Sequence, residues 1–203
     1  QAWVAIRVCY REQLALLAAN DLTASDPQQV LPAIAAGLAD LAGAAIEAGL
    51  KVARWELKSS KEHGNFEANE VDATRLAVIA MGKCGARELN YISDVDVIFV
   101  AESSGDIETS RALEIATRLA TRMMRAMDAN APEPALWQVD PNLRPEGKSG
   151  ALVRTLESHV SYYERWAENW EFQALLKARP LAGDAELGDA YVAKMQPFVW
   201  ASA

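Results

Sequence analysis

The chain has 203 residues, with 20 Lys and Arg against 28 Asp and Glu for a formal net charge of −8, 51% hydrophobic residues and a mean hydropathy of −0.06. That length sets one large domain, or one domain with a helical extension, and the balance of apolar and charged residues excludes both a disordered tail and a membrane protein. The acidic excess argues against a broad electrostatic footprint on nucleic acid or an anionic membrane, so an anionic ligand needs a dedicated pocket.

From Trp3 to Ala19 the apolar residues Trp3, Ile6, Tyr10, Leu14 and Leu17 recur at the helical period, and Asn20-Asp21 suits the end of that helix. Asp26-Pro27 reads as an N-cap followed by proline at the first helical position. The Ala- and Leu-rich stretch that follows runs to about Trp55 as one long helix or two, with Gly37, Gly43 and Gly49 marking close helix packing. Polar residues from Lys58 to Asp72 form a loop, which puts a boundary there: residues 1–72 as an N-terminal helical region, 73–156 as a core, and 157–203 as C-terminal helices packing on it.

After the loop the character changes. Leu76 to Met81 and Val95 to Val100 are short, β-branched apolar runs of strand length, and Ile107 to Met127 is an amphipathic helix with its arginines off the apolar face. Ala135 to Val139 reads as a third strand. Beyond Gly150 the segments 156–166, 168–178 and 185–198 read as helices, broken by Pro180 and Gly183. Trp137, Tyr162, Tyr163, Trp166 and Trp170 are assigned to core and helix packing rather than to a base-stacking platform.

Two cysteines, Cys9 and Cys84, and two histidines, His63 and His159, are too scattered for a thiolate zinc site or a disulfide framework. With no signal-type run the reading is a cytoplasmic protein, and the termini at Gln1 and Ala203 read as those of a piece of something longer.

The chemistry concentrates in the segment from Gly82 to Phe99. Asp94 and Asp96 alternate at the start of a strand, which puts both side chains on one face roughly 6 to 7 Å apart. At an effective dielectric of about 20 such a pair repels by about 3 kcal/mol, so a cation belongs there unless the two are simply solvated at an exposed strand start. Upstream, Gly85 lets the chain turn sharply into Ala86-Arg87-Glu88-Leu89, a helix start whose N–H groups suit a phosphate. Gly82-Lys83 is not a P-loop, since Cys84 stands where Ser or Thr is needed. Asp140 supplies a third carboxylate at the end of an apolar segment, or else an Asp-Pro turn, and Arg144 a phosphate clamp or a turn salt bridge.

The runs GKCGARELNYISDVDVIFV, VDPNLRPEGKSGALV and NWEFQALLKARPLAGD closely resemble the bacterial glutamine synthetase adenylyltransferase family, of the DNA polymerase beta-type nucleotidyltransferase superfamily. The resemblance implies an α+β fold, a small mixed sheet flanked by helices behind an N-terminal helical region. It implies that Asp94 and Asp96 bind Mg²⁺, two ions in all, that Asp140 completes the acidic triad, and that the Gly85 turn holds nucleotide phosphates with Lys83, Ser93 and Arg144. Ala86 stands where the family usually has a second glycine. The substrates implied are ATP or ADP, phosphate and glutamine synthetase, with a PII-type protein as regulator. Glu88-Leu89-Asn90 and Lys177-Ala178-Arg179 resemble the amino-terminal, deadenylylating half more than the adenylylating one. A nucleotide- or partner-sensing module without turnover is the competing reading.

Overall fold

A computed structural model of the chain describes residues 1–59, 62 and 64–201, the side chain of Ala201 excepted. Part of the expected 58–72 loop, with His63, lies outside the described residues. Helix α1 (Ala2–Leu22) is followed by α2 (Pro27–Ser59), and Asp26 caps α2 as its position foretold: its carboxylate accepts the N–H groups of Gln28 and Gln29. The stretch that could have been two helices is one, and its glycines serve packing. A methyl group on Gly37 would press on Leu17 of α1, and one on Gly49 on Met123 and Met127. A short helix α3 (Ala68–Ala73) forms where a loop was expected, closed by reciprocal hydrogen bonds between Glu67 and Glu70.

Strand β1 (Thr74–Ala80) leads through a single helical turn, α4 (Gly82–Gly85), and an irregular segment into β2 (Val95–Ser103), which pairs antiparallel with β1. Helix α5 (Thr109–Asp128) then crosses back to β3 (Val139–Asp140), a strand of two residues where a longer one was expected. After a 3₁₀ turn at Gly147–Ser149 comes β4 (Val153–Arg154), then α6 (Leu156–Arg165), α7 (Asn169–Leu175), β5 (Arg179–Gly183) and α8 (Ala185–Ala201). The sheet runs β3-β2-β1-β5, with β4 also on β2. Both β3 and β4 pair parallel with β2, β3 at its first two residues and β4 at Phe99 and Val100. The α+β class with a small mixed sheet is therefore the observed one.

Strand alternation divides the core in two. Leu76, Val78, Val95, Val97 and Phe99 join the cluster built with α2 and α5, while Ala77, Ile79, Ile98 and Val100 join Tyr163, Leu175, Leu187 and Tyr191 from α6, α7 and α8. Asp96 belongs by parity to the second face. The helical region is tied to the sheet layer by buried Arg7 of α1, whose guanidinium donates to the carbonyls of Ala126, Ala129 and Glu133 at and beyond the C-terminal end of α5, where carbonyls lack helical partners. Helix α2 is long and apolar enough to cross a membrane; in this fold it packs against α1, α5 and β5, which bury part of its apolar surface.

His159 of α6 is 1% exposed and meets Tyr191 edge to face at 5.2 Å. Burial, reinforced by the charge of Arg154, pushes its pKa down to about 3, against a smaller opposing pull from the Phe99 backbone. The folded state thus keeps the imidazole neutral while the unfolded chain takes up a proton below about 6.5, so stability is full above that value and falls as pH drops toward 3. The expected slope is at most one proton, about 1.4 kcal/mol per pH unit. Urea unfolding of the wild type and His159→Phe between pH 7 and pH 5 should show a steeper loss in the wild type; equal slopes would refute it.

Candidate active site

The parallel register places Asp96 beside Asp140, and the Val95 N–H donates to the Gln138 carbonyl at 2.9 Å, locking β3 onto the start of β2. Asp94 sits one residue before β2 rather than within it, is exposed, and still joins the other two. One carboxylate oxygen from each of Asp94, Asp96 and Asp140 lies within 4.8 Å of the others. Half-buried Asp96 is raised above the usual carboxylate pKa, first by burial and then by the negative charges of Asp94 and Asp140, with Lys83 pulling weakly the other way. Asp140 also makes the turn read from its Asp-Pro sequence, its Oδ1 accepting the Asn142 N–H at 2.8 Å. The two readings of Asp140 coexist in one side chain.

Three of the expected phosphate contacts, Gly85, Ala86 and Arg144, change character. The helical turn lies before Gly85, not after it. The Gly85, Ala86, Arg87 and Glu88 N–H groups are all bound to the carbonyls of Met81, Gly82, Cys84 and Lys83, so no phosphate cradle exists at Gly85-Ala86. Gly85 is glycine because a Cβ there would collide with the Lys177 carbonyl oxygen. Ala86, with φ of −74°, needs no glycine at all. The N–H groups that a first helical turn leaves without an intrahelical partner belong instead to Gly82, Lys83 and Cys84. Gly82, with φ of +51°, is the glycine the site requires: a Cβ would stand 2.5 Å from Asp96 Oδ2. The failed P-loop pattern hides this role in sequence, although a glycine directly after a strand-length apolar run is a usable signal. Gly82→Ala is expected to cost about 1 kcal/mol in stability while displacing the Asp96 carboxylate, read as a weakened divalent-cation affinity by calorimetry.

Arg144, expected as a phosphate clamp or a turn salt bridge, spends its guanidinium on the loop itself. It is 8% exposed, and its guanidinium donates to the carbonyls of Pro141 at 2.9 Å, Gly150 at 3.2 Å and Lys148 at 3.3 Å. It staples the loop that carries the chain from β3 to β4. Arg144→Ala is accordingly expected to lower stability by about 1 to 3 kcal/mol, since it removes three hydrogen bonds to part-buried or exposed carbonyls and the packing of a buried side chain, and to leave nucleotide affinity in the surviving folded fraction unchanged; a selective loss of affinity would restore the clamp.

Lys83 is exposed in the first turn of α4, and Ser93 is half-buried with its Oγ 3.5 Å from Asp94 Oδ1. The segment from Arg87 to Tyr91 is tied down from three sides: Arg87 pairs with Asp40 of α2, Glu88 with Lys177 at 2.7 Å, and the Tyr91 hydroxyl donates to Asp21 at 2.9 Å. Arg179 reaches the carbonyls of Cys84 and Gly85. The two signature segments, separated in sequence, therefore meet around α4. Tyr163 is buried and Tyr162 and Trp137 half-buried as assigned, but Trp166 and Trp170 are 74% and 49% exposed, not core.

A mixed sheet whose central strand and its parallel neighbour bring three carboxylates to one point defines a class: an α+β protein with an acidic, cation-ready site at the sheet end. Residues 1–194 match the family described as glutamate-ammonia ligase adenylyltransferase, and the chain belongs to that family. It is 57% identical over 205 residues to the bifunctional glutamine synthetase adenylyltransferase/adenylyl-removing enzyme of Leifsonia xyli subsp. xyli, covering 100% of this chain and 20% of that protein. Proteins of the same name from Bifidobacterium longum and Streptomyces avermitilis are 48% and 50% identical, over 100% and 98% of this chain and 18% and 19% of theirs. The chain spans about a fifth of the length of the curated relatives it matches.

Proposed function

We propose that this chain is a metal-dependent nucleotidyltransferase domain that removes AMP from the adenylyl-tyrosine of glutamine synthetase by phosphorolysis, releasing ADP. The observation that carries the reading is the convergence of Asp94, Asp96 and Asp140, oxygen donors of the hard kind that suit Mg²⁺. None of the three enters an ion pair among those of the described residues, and Gly82 leaves open the space that a Cβ would fill beside Asp96. The carboxylates therefore fit the cation the family implies. When bound, Mg²⁺ supplies Lewis-acid stabilisation of charge building on the α-phosphate.

In the reaction a phosphate oxygen attacks the α-phosphorus, the bond to the tyrosine oxygen breaks, and the proton from phosphate ends on the tyrosine hydroxyl. Asp140, its carboxylate oriented by the Asn142 N–H, aligns the attacking group opposite the leaving oxygen. The first-turn N–H groups of α4, with Lys83 and Ser93, hold the phosphoryl oxygens. Asp94 is the exposed member of the three, open to a protein-borne tyrosine.

The relatives' printed name covers both addition and removal of AMP, and the likeness of Glu88-Leu89-Asn90 and Lys177-Ala178-Arg179 to the deadenylylating half supports removal. A cytoplasmic setting and a PII-type regulator complete the reading. Incubating the chain with adenylylated glutamine synthetase, phosphate and Mg²⁺ should yield ADP. Pyrophosphate released from ATP with unmodified glutamine synthetase would assign the opposite direction, and no turnover in either mixture would leave a sensing module.

A further inference from the structure

A cavity of about 560 Å³ opens between the loop after β3, strand β4 and helix α6, and no triad carboxylate lines it. Ser158, Ser161, Tyr162 and Arg165 stand at three- and four-residue spacing, one stripe of α6 facing this space, while His159 and Tyr163 on the other side of the helix are buried. Arg154 faces the stripe from β4. Its side chain is 18% exposed, its Nε has no hydrogen-bond partner, one terminal nitrogen lies 3.4 Å from Ser158 Oγ, and its guanidinium sits 5.8 Å from the Tyr162 ring centre. The other terminal nitrogen is taken by Glu146, a residue with a Cβ held at a left-handed φ of 62° beside Gly147 at 54°.

Arg165 is exposed and enters none of the ion pairs of the described residues. Among the lining residues two guanidinium groups face one carboxylate, with the Glu171 carboxylate behind Tyr162, in a chain of net charge −8. Guanidinium forks beside the Ser158 and Ser161 hydroxyls match the several acceptor oxygens of a tetrahedral oxyanion, the Tyr162 hydroxyl being spent on the Glu171 carboxylate. Glu146 occupies one fork as an internal competitor. Trp166, 74% exposed at the edge of the same cavity, offers a flat apolar face to a base.

We infer that this cavity binds a phosphate group, that of inorganic phosphate or of a mononucleotide, with Arg154 and Arg165 as its cations and Glu146 as the plug the anion displaces. The site does not use the triad and stands apart from the proposed reaction. The test is calorimetry on the Asp94→Asn/Asp96→Asn double variant in chelator, titrated with inorganic phosphate, AMP and adenosine. Phosphate and AMP should bind and adenosine should not. Arg165→Ala should weaken binding about tenfold and Glu146→Gln strengthen it about tenfold, both being exposed side chains whose replacement leaves the fold intact. AMP binding tighter than phosphate, with the difference lost in Trp166→Ala, would identify a nucleotide; equal affinities would identify the free anion. Absence of binding by both phosphate and AMP, binding indifferent to Arg165→Ala and Glu146→Gln, or binding that wild type shows and the double variant lacks would overturn the inference.

Discussion

Asp96→Asn is expected to lower AMP transfer by about 10³-fold or more while the melting temperature without divalent cation stays level or rises. The opposite directions follow from one feature. Asp96 is half-buried, pushed up in pKa by that burial and by two neighbouring carboxylates, so its charge is a liability to the empty fold. Asparagine keeps the shape, removes a metal ligand and relieves repulsion of about 3 kcal/mol. Asp94→Asn should follow the same course in activity with a smaller gain in stability, because Asp94 is exposed and its repulsion is screened. Mg²⁺ should raise the melting temperature of the wild type and not of either variant. Scanning calorimetry with and without Mg²⁺ reads all of this, and a cooperative loss of stability in both variants under both conditions would make the aspartates structural.

The residues that carry this site were readable in sequence to the extent that their placement is local. β1 announces itself as an unbroken apolar run, and β2 as one interrupted only by Asp96, because both faces of those strands are covered, one by α2 and α5 and the other by the C-terminal helices. Asp96 inherits its position from that regularity. Asp140 does so less directly, since β3 is two residues long and is defined by its parallel pairing with β2 rather than by any pattern of its own. β4 and β5 left no trace for the same reason. β5 contains Pro180 and ends in Gly183, residues that punctuate a sequence, yet it pairs with β1 across a bulge between Val78 and Ile79.

What remained hidden was set by close approach between distant segments. Gly85 reads as a phosphate-loop glycine, but the Lys177 carbonyl packed against it excludes any side chain. Gly82 reads as a failed P-loop and proves to border Asp96. Arg144 reads in sequence as a phosphate clamp or a turn salt bridge; only the folded loop reveals the three carbonyls it meets. Trp166 and Trp170 look like anchors in amphipathic helices, whereas α6 turns its buried side through His159 and Tyr163 instead. Strand and helix runs follow from periodicity, while the partners of single polar or glycine positions follow from tertiary packing that periodicity does not encode.

Asp140→Ala should cut the single-turnover rate by about 10² to 10³-fold while changing nucleotide affinity by less than about threefold. Asp94, Asp96 and the first turn of α4 persist in that variant and still receive the phosphates, whereas the attacking group loses the carboxylate that aligns it. A stability cost of about 1 kcal/mol accompanies the change, because Oδ1 of Asp140 also accepts the Asn142 N–H. Asp140→Asn separates the two roles: its amide oxygen can keep the turn bond, so stability should recover while the rate stays low, the negative charge being gone. Rapid-quench measurement of ADP formation at saturating Mg²⁺ and phosphate, run beside denaturant unfolding of both variants, reads rate and stability independently. A near wild-type rate in Asp140→Asn would reduce Asp140 to the turn it makes and leave the chemistry to two carboxylates, in which case the parallel pairing of β3 with β2 would serve only to close the sheet edge beside them.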